Sequence, residues 1–223
     1  MASIRWLGHA AFEVIADKKS ILIDPFLTGN PLAPLKASEV SKADIVCVTH
    51  EHSDHLGDSI DICRRTNATF VGVHELTKYA QSEGVKNVLT VDLGSTVDVR
   101  GIKITAVKAV HSYKLCLPVG FVINLGESNV YHAGDTGVFP EMRTIGQIHR
   151  PEIACLPIGG HYTMDARGAA EAAMLVMPKV IIPMHYKTLP LLAQSADEFV
   201  CIMKEKDFGG KLVVLKPGES YNF

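Results

Sequence analysis

The sequence predicts an α/β (α+β) protein in which two β-sheets pack together with helices on the outside. Paired strand-like segments alternate with helical segments in both halves of the chain, which is typical of layered α/β folds. No linker, charge block or low-complexity stretch interrupts the 223 residues. The composition, 47% hydrophobic and 21% charged, is that of an ordinary globular domain. We therefore expect one domain, residues 1–223, built from two similar halves.

The first half opens with three strands, because short apolar runs are separated by turn residues. These strands are Ile4–Leu7, Ala11–Ile15 and Ser20–Asp24. Three prolines and a glycine make Pro25–Pro34 a loop. The continuous apolar run Ile45–Val48 predicts a buried strand. A helix over Leu56–Arg65, a strand over Phe70–Val73 and a helix over Glu75–Glu83, capped by Gly84, complete this half.

The second half repeats the alternation of strands and helices. Apolar residues alternate around Gly101 within Val97–Val110, which predicts two strands joined by a tight turn. Further strands are expected at Val119–Leu125, Asn129–Ala133, Ile153–Pro157, Val180–Ile182 and Leu212–Leu215. The alanine-rich stretch Ala166–Val176 predicts a helix that ends before Pro178, and a last helix is expected over Ala196–Lys206.

Charge and cysteine content exclude several classes of protein. The net charge is −2, whereas proteins that bind nucleic acid usually carry an excess of basic residues, so we expect no stable nucleic-acid binding. No apolar run reaches the roughly 18–20 residues of a membrane span, and the start lacks a secretory signal pattern, so we expect a cytoplasmic protein. The five cysteines are odd in number and far apart, which indicates neither a disulfide framework nor a zinc-thiolate site.

The segment Thr49–His55 concentrates side chains that bind metals, namely His50, His52, Asp54 and His55. In an extended loop the first three project to one side, because side chains alternate with period two. Asp54 falls where a helix N-cap is expected, and His55 falls on the first turn. Imidazole and carboxylate are preferred ligands of zinc and neighbouring transition metals. The spacing favours a metal site over four solvated loop residues.

Four ligands on one loop exceed what a single catalytic ion needs, which is three protein ligands and an open position. The surplus indicates two metals that share the loop and take further ligands from other strands. His111, Asp135 and His185 each follow the carboxyl end of an apolar run. A side chain placed there reaches a cleft without entering the core.

The order of these motifs resembles the metallo-β-lactamase superfamily over roughly residues 4–215. The motifs are His-x-His-x-Asp-His, a strand-end histidine, Gly-Asp-Thr and a late Pro-Met-His. Flanking motifs at 6–10 (WLGHA), 24–26 (DPF) and 157–164 (PIGGHYTM) look like those of compact, largely uncharacterised metal-dependent hydrolases related to ascorbate-6-phosphate lactonases. The resemblance implies a four-layer αββα sandwich of the metallo-β-lactamase type with the metals at one edge.

The resemblance also implies a ligand set for two divalent metal ions per chain. It places His50, His52 and His111 on the first ion, it places Asp54, His55 and His185 on the second, and it makes Asp135 the bridge. The ions are expected to lie about 3.5–4 Å apart and to share a water or hydroxide. Zinc is the expected metal, with manganese, nickel and iron as alternatives.

Three other residues are candidates for roles around the metals. His161 follows Gly159-Gly160, where the backbone can approach a substrate closely, and a histidine is a natural proton donor near neutral pH. The alternative is an exposed loop histidine. His9 is expected either to contact substrate or to support a ligand, and Asp24 either to orient a ligand histidine or to form a turn. Asp54, Asp135 and His161 are the catalytic candidates.

These observations predict a dinuclear metal-dependent hydrolase that uses a metal-activated water on an ester-like bond, a phosphodiester or a lactone. An iron-dependent oxidoreductase of the dioxygenase type and an RNA-processing nuclease, both on the same fold, are the alternatives. The expected partner is a small-molecule substrate, with no membrane and with a homo-oligomer allowed.

Overall fold

The computed structural model describes residues 2–223 and contains two seven-stranded β-sheets. Helices lie outside both sheets, as the alternation of segments predicts. The largest fully buried side chains include Trp6, Phe12, Phe70, Phe121 and Tyr131, which come from both sheets. One continuous apolar core therefore joins the two halves of the chain.

The first sheet is formed by the early strands and by the last strand of the chain, in the spatial order β14-β1-β2-β3-β4-β5-β6. Its strands are β1 Ser3–Trp6, β2 Phe12–Ala16, β3 Lys19–Ile23, β4 Ile45–Cys47, β5 Thr69–Gly72, β6 Val88–Thr90 and β14 Ser220–Asn222. Asp17 and Lys18 join β2 to β3, and both have positive φ, as a tight hairpin turn requires.

The second sheet has the order β13-β12-β11-β10-β9-β8-β7. Its strands are β7 Thr96–Val99, β8 Ile102–Lys108, β9 Val119–Asn124, β10 Asn129–His132, β11 Ile153–Pro157, β12 Val180–Met184 and β13 Lys211–Leu212. Every residue of β11 and β12 is buried, because these parallel strands are covered on both faces.

Within residues 2–223, six α-helices and one short 3₁₀ helix cover the sheets. They are α1 Ser53–Leu56, α2 Ser59–Thr66, α3 His74–Ser82, α4 Met142–His149, α5 Ala166–Val176, α6 Asp197–Glu205 and the 3₁₀ helix Ala37–Glu39. Helices α2 and α3 contact the first sheet, and α5 contacts the second sheet and both α4 and α6. The Asp165 carboxylate accepts a hydrogen bond from Gly168 N (2.7 Å) and caps α5. No helix within residues 2–223 has the length and apolarity that crossing a membrane requires.

Strand direction brings six loops to one edge of the sandwich. In the first sheet β1, β3 and β4 run the same way, because β2 is antiparallel to both β1 and β3 while β3 and β4 are parallel. In the second sheet β8, β10 and β12 likewise share one direction. The loops that follow these six strands carry the histidines and aspartates that the sequence singles out.

The prediction of one continuous helix over Leu56–Arg65 is wrong. Helix α1 ends at Leu56, the chain turns at Gly57, and α2 begins at Ser59. Gly57 has a φ of 42°, and a Cβ at this position would lie 2.7 Å from the Phe26 Cα. The chain therefore turns sharply under the loop that follows β3. In addition, α1 begins at Ser53, so His52 is its N-cap and Asp54 lies inside the helix rather than at the cap.

Candidate metal centre

Three histidines converge at the mouth of the cleft, with their ring nitrogens at metal-ligand spacing. The His52 Nδ1 lies 3.0 Å from the His50 Nε2 and 3.3 Å from the His111 Nε2. Zinc–nitrogen bonds of about 2.0–2.1 Å place tetrahedral ligand nitrogens about 3.3 Å apart. The spacing of these three atoms therefore fits a single ion.

Local backbone geometry explains why only part of the Thr49–His55 segment faces this group. The backbone at His52 is still extended (φ −60°, ψ 144°), so His50 and His52 share a side, as their period-two spacing predicts. Helix α1 then begins, and it places the ligand atoms of Asp54 and His55 in a second group. The expectation that Asp54 projects with the two histidines is therefore wrong.

A second group contains Asp54, His55 and His185, together with His9, and their ligand atoms lie within 4.8 Å of one another. The Asp54 Oδ2 is 4.0 Å from the His55 Nε2 and 3.9 Å from the His185 Nε2. His185 follows β12, so this group joins the two sheets across the edge of the sandwich. The backbone is tied across the same gap, because the His185 N–H donates to the His9 carbonyl oxygen (3.0 Å).

Asp135 lies between the two groups and is almost completely buried. Its Oδ1 is 3.2 Å from the His55 Nε2, and its Oδ2 is 3.2 Å from the His185 Nε2. The same Oδ2 is 3.6 Å from the His111 Nε2 and 4.0 Å from the His50 Nε2. One carboxylate thus faces ring nitrogens of both groups.

Unpaired buried atoms test whether these residues fit metal ions. The His55 Nε2, the His185 Nε2 and the Asp135 Oδ1 are buried and have no hydrogen-bond partner. Buried polar atoms are normally paired, since leaving one unpaired costs roughly 1–3 kcal/mol. All three point at the same space between the groups, and a bound cation would satisfy them together. The donor set therefore fits the implied metal.

Asp24 fixes the orientation of two of these imidazoles from beneath. Its Oδ2 accepts hydrogen bonds from the His55 Nδ1 (2.7 Å) and the Thr49 hydroxyl (2.6 Å). Because the Thr49 hydroxyl donates its proton to Asp24, its oxygen accepts a hydrogen bond from the His50 Nδ1 (3.0 Å). Both rings therefore turn their Nε2 atoms towards the space between the two groups. This is the orienting role that the sequence suggests for Asp24.

His9 is held in one tautomer by its two partners. Burial lowers the pKa of His9 to about 4, so the ring is neutral. Burial also raises the pKa of Asp54, but the hydrogen bond from His9 and the charge of His55 outweigh it and keep that carboxyl ionised. The His9 Nε2–H therefore donates to the Asp54 Oδ2 (3.0 Å), and the Thr188 hydroxyl donates to the His9 Nδ1 (2.5 Å).

Buried carboxylates make this region attract positive charge. Burial would raise the pKa of Asp135, yet His55 and His185 hold it well below its usual value, so the group is ionised. Burial would lower the pKa of His55, yet Asp135 and Asp24 on either side raise it well above its usual value. Burial lowers the pKa of His50 to about 3, which keeps its lone pair free.

The clusters open into a cavity of about 420 Å³. Five ligand-type residues and His9 form part of its wall, and the remaining wall is formed by Phe26, Ser53, Ser112, Tyr162 and Leu189.

A family model for the β-lactamase superfamily domain matches residues 3–185 of this chain. The chain belongs to the metallo-β-lactamase superfamily. It is 48% identical to a UPF0173 metal-dependent hydrolase of Methanopyrus kandleri (98% of each chain) and 46% identical to one of Archaeoglobus fulgidus (99% of this chain, 98% of the relative). The structure of a metallo hydrolase from Ignicoccus hospitalis superposes with a TM-score of 0.92 at 37% identity, covering 100% of this chain and 99% of the other.

Superfamily membership confirms the predicted αββα sandwich and makes this chain a metal-dependent hydrolase with two candidate ligand clusters. The structure brings together all seven residues of the ligand set that the resemblance implies. His9 lies beside them as a buried neighbour of Asp54. The WLGHA motif alone does not predict this contact.

His161 is the one predicted site residue that the structure leaves outside. Its side chain is exposed and does not line the cavity, whereas its neighbour Tyr162 does. Gly159, the first of the two glycines before it, also has a packing role. A Cβ on Gly159 would lie 2.0 Å from the His185 carbonyl oxygen, so this glycine allows the His185 loop to pack closely. The sequence alone does not single out Tyr162, the residue of the PIGGHYTM motif that lines the cavity.

Proposed function

We propose that this metallo-β-lactamase superfamily hydrolase is dinuclear and cleaves an ester-like bond, a phosphodiester or a lactone, in a small molecule. The observation that carries the proposal is the position of Asp135. Its carboxylate lies within 4.0 Å of ring nitrogens from both clusters, which is where a ligand shared by two ions must stand.

In this proposal His50, His52 and His111 hold the first ion, and Asp54, His55 and His185 hold the second. Asp135 contributes to both. Five imidazoles and two carboxylates suit zinc, and the nitrogen spacing of the first cluster supports the same choice. Manganese, nickel and iron are accepted by the same donor types.

Bound ions would supply two kinds of chemistry here, since they acidify a water and polarise the scissile carbonyl or phosphoryl oxygen. The chain's own residues prepare the site for this. Asp24 and Thr49 aim the rings of His50 and His55, and His9 holds the Asp54 carboxylate in place. The buried carboxylate of Asp135 and the half-buried carboxylate of Asp54 would offset the charge of the ions.

Proton delivery to the leaving group falls to a side chain at the cavity wall. Tyr162 lines the cavity and carries a hydroxyl, so we assign it this contact in preference to His161. The rings of the two residues pack edge to face with their centroids 4.4 Å apart, so His161 would support Tyr162.

Metal analysis and an activity panel test the proposal together. Protein reconstituted with excess zinc or manganese should bind two ions per chain by elemental analysis. The same samples should hydrolyse members of a panel of phosphodiesters, phosphomonoesters, lactones, thioesters and a β-lactam. A plateau at one ion per chain would contradict the dinuclear site, and two bound ions without hydrolysis of any ester would contradict the assigned bond.

A further inference from the structure

The cavity wall beyond the metal ligands and His9 carries no charged side chain. It consists of Phe26, Ser53, Ser112, Tyr162 and Leu189. No lysine or arginine of residues 2–223 lines the cavity. An anionic substituent next to the scissile bond would therefore lose its hydration without gaining an ion pair, which is unfavourable.

Two lysines are close in sequence to residues of the wall but do not line the cavity. Lys187 precedes Leu189 by two residues, and Lys114 follows Ser112 by two, and both side chains are exposed. Centres for phosphoryl transfer commonly add lysine or arginine to their metals, because negative charge spreads over several oxygens in the transition state. A carbonyl ester develops charge on one oxygen, which metal ions alone can match.

The same wall presents apolar surface that a substrate can cover. Tyr162 is 48% exposed and Leu189 is 38% exposed, although both line the cavity. Phe26 lines the same cavity from a loop that the Asp58 carboxylate holds by accepting hydrogen bonds from Leu27 N (2.9 Å) and Thr28 N (2.8 Å). Exposed apolar surface that lines a binding cavity indicates a ligand that buries it.

We infer that the substrate is an uncharged carboxylic ester or lactone whose acyl portion is apolar and packs on Phe26, Tyr162 and Leu189. The inference rests on the proposed hydrolytic function and narrows the type of bond that is cleaved to a carboxylic ester. Water adds to the carbonyl carbon, the bond from that carbon to the alcohol oxygen breaks, and the alcohol oxygen takes up a proton. The products are a carboxylic acid and an alcohol, or one hydroxy acid from a lactone.

A chain-length series on the zinc-loaded protein tests the substrate class. Nitrophenyl acetate, butyrate and hexanoate should show kcat/KM rising about three- to fourfold per methylene, the value of burying one such group. Nitrophenyl hemisuccinate, which ends in a carboxylate, should react at least about tenfold more slowly than the butyrate of similar length. A flat series, equal rates for hemisuccinate and butyrate, or faster cleavage of bis(nitrophenyl) phosphate than of the hexanoate would overturn the inference.

Matched variants assign the preference to the wall. Leu189→Ala should flatten the chain-length series, whereas Leu191→Ala, which changes a 61% exposed leucine outside the cavity, should leave it intact. Lys114→Ala and Lys187→Ala should leave the hemisuccinate rate unchanged. An increased preference for the neutral ester in either lysine variant would show that a cation does serve the site and would overturn the inference.

Binding separates failure of this inference from failure of the proposed function. Three hydroxamates carry the same metal-binding group and differ in their tails: acetohydroxamate, hexanohydroxamate and succinate monohydroxamate. Calorimetry on the zinc-loaded protein therefore measures how each tail changes the binding affinity, without turnover. Hexanohydroxamate should bind at least about tenfold more tightly than the other two. If the protein hydrolyses no ester but binds the hydroxamates with this order of affinities, only the hydrolytic proposal is refuted. Equal affinities would refute the apolar wall, whatever the protein hydrolyses.

Discussion

Removing the hydroxyl of Thr188 should weaken the second metal site and spare the first. Thr188→Val keeps the shape of the side chain but takes away the proton that the His9 Nδ1 accepts at 2.5 Å. The Nδ1 is then left buried without a partner, and the ring is free to adopt the other tautomer. In that tautomer the Nε2 presents a lone pair to the ionised Asp54 carboxylate at 3.0 Å.

The size of the effect follows from the bond that is lost. A hydrogen bond to a charged group contributes about 1.5–3 kcal/mol, and loss of an outer partner of a metal ligand commonly costs about 10–100-fold in affinity. His9→Ala removes the donor outright, so the second ion should bind about 10–100-fold more weakly. Thr188→Val only frees the tautomer, so we expect a loss of about three- to tenfold.

Chelator competition on the apo protein measures both affinities in one titration. The site formed by His50, His52 and His111 is the internal control, and its affinity should change less than about twofold because none of its bonds is touched. Thr188→Ser keeps the hydroxyl and should bind both ions like the unaltered protein. X-ray absorption of the two-zinc form should count the five histidines of the clusters other than His9. Unchanged second-site affinity in His9→Ala, equal losses at both sites, or a sixth imidazole would refute the assigned role.

Three further outcomes are expected. Asp135→Ala should lower the content of both ions and the rate, and full occupancy by elemental analysis would contradict a shared ligand. Gly159→Ala puts a methyl group against the His185 carbonyl oxygen, so thermal denaturation should show a loss of about 1–3 kcal/mol and zinc titration a weaker second site. Tyr162→Phe should reduce turnover of substrates with poor leaving groups by about 10²–10⁴-fold with both ions retained, and His161→Ala by less than about threefold. The reverse order in steady-state kinetics would restore His161 to the site.

The pattern of apolar residues correctly predicts those helices and strands whose limits are determined by neighbouring residues in the sequence. Helix α5 spans Ala166–Val176, the bounds that the sequence predicts, because Asp165 caps it and Pro178 stops it. The apolar runs that become β4 and β11 are also located correctly. Strand β14, in contrast, is absent from the sequence prediction. It pairs with β1 from the far end of the chain, and its residues are polar or half-exposed, so no local pattern marks it.

The division of ligands between two clusters depends on contacts that no short window of sequence contains. The break at Gly57 exists because the chain passes directly under Phe26, and the short helix α1 before it rotates Asp54 towards His185. Residue types and spacing are sufficient to identify a metal site. They do not show which side of the cleft each ligand of the segment faces.

Backbone strain marks the positions where the site departs from ordinary loop geometry. His9, Asp24 and His185 have φ values of 56°, 46° and 57°, a region that costs non-glycine residues on the order of 1 kcal/mol each. Asp24 and His185 directly follow strands and His9 lies in the turn between β1 and β2, and each side chain belongs to the buried network around the metal clusters. Their hydrogen bonds or packing in that network must offset the strain, so the strained conformation and the site stabilise each other. Propensity rules disfavour these conformations at each position alone, and this is why the sequence indicates the residues but not the turns that bring them together.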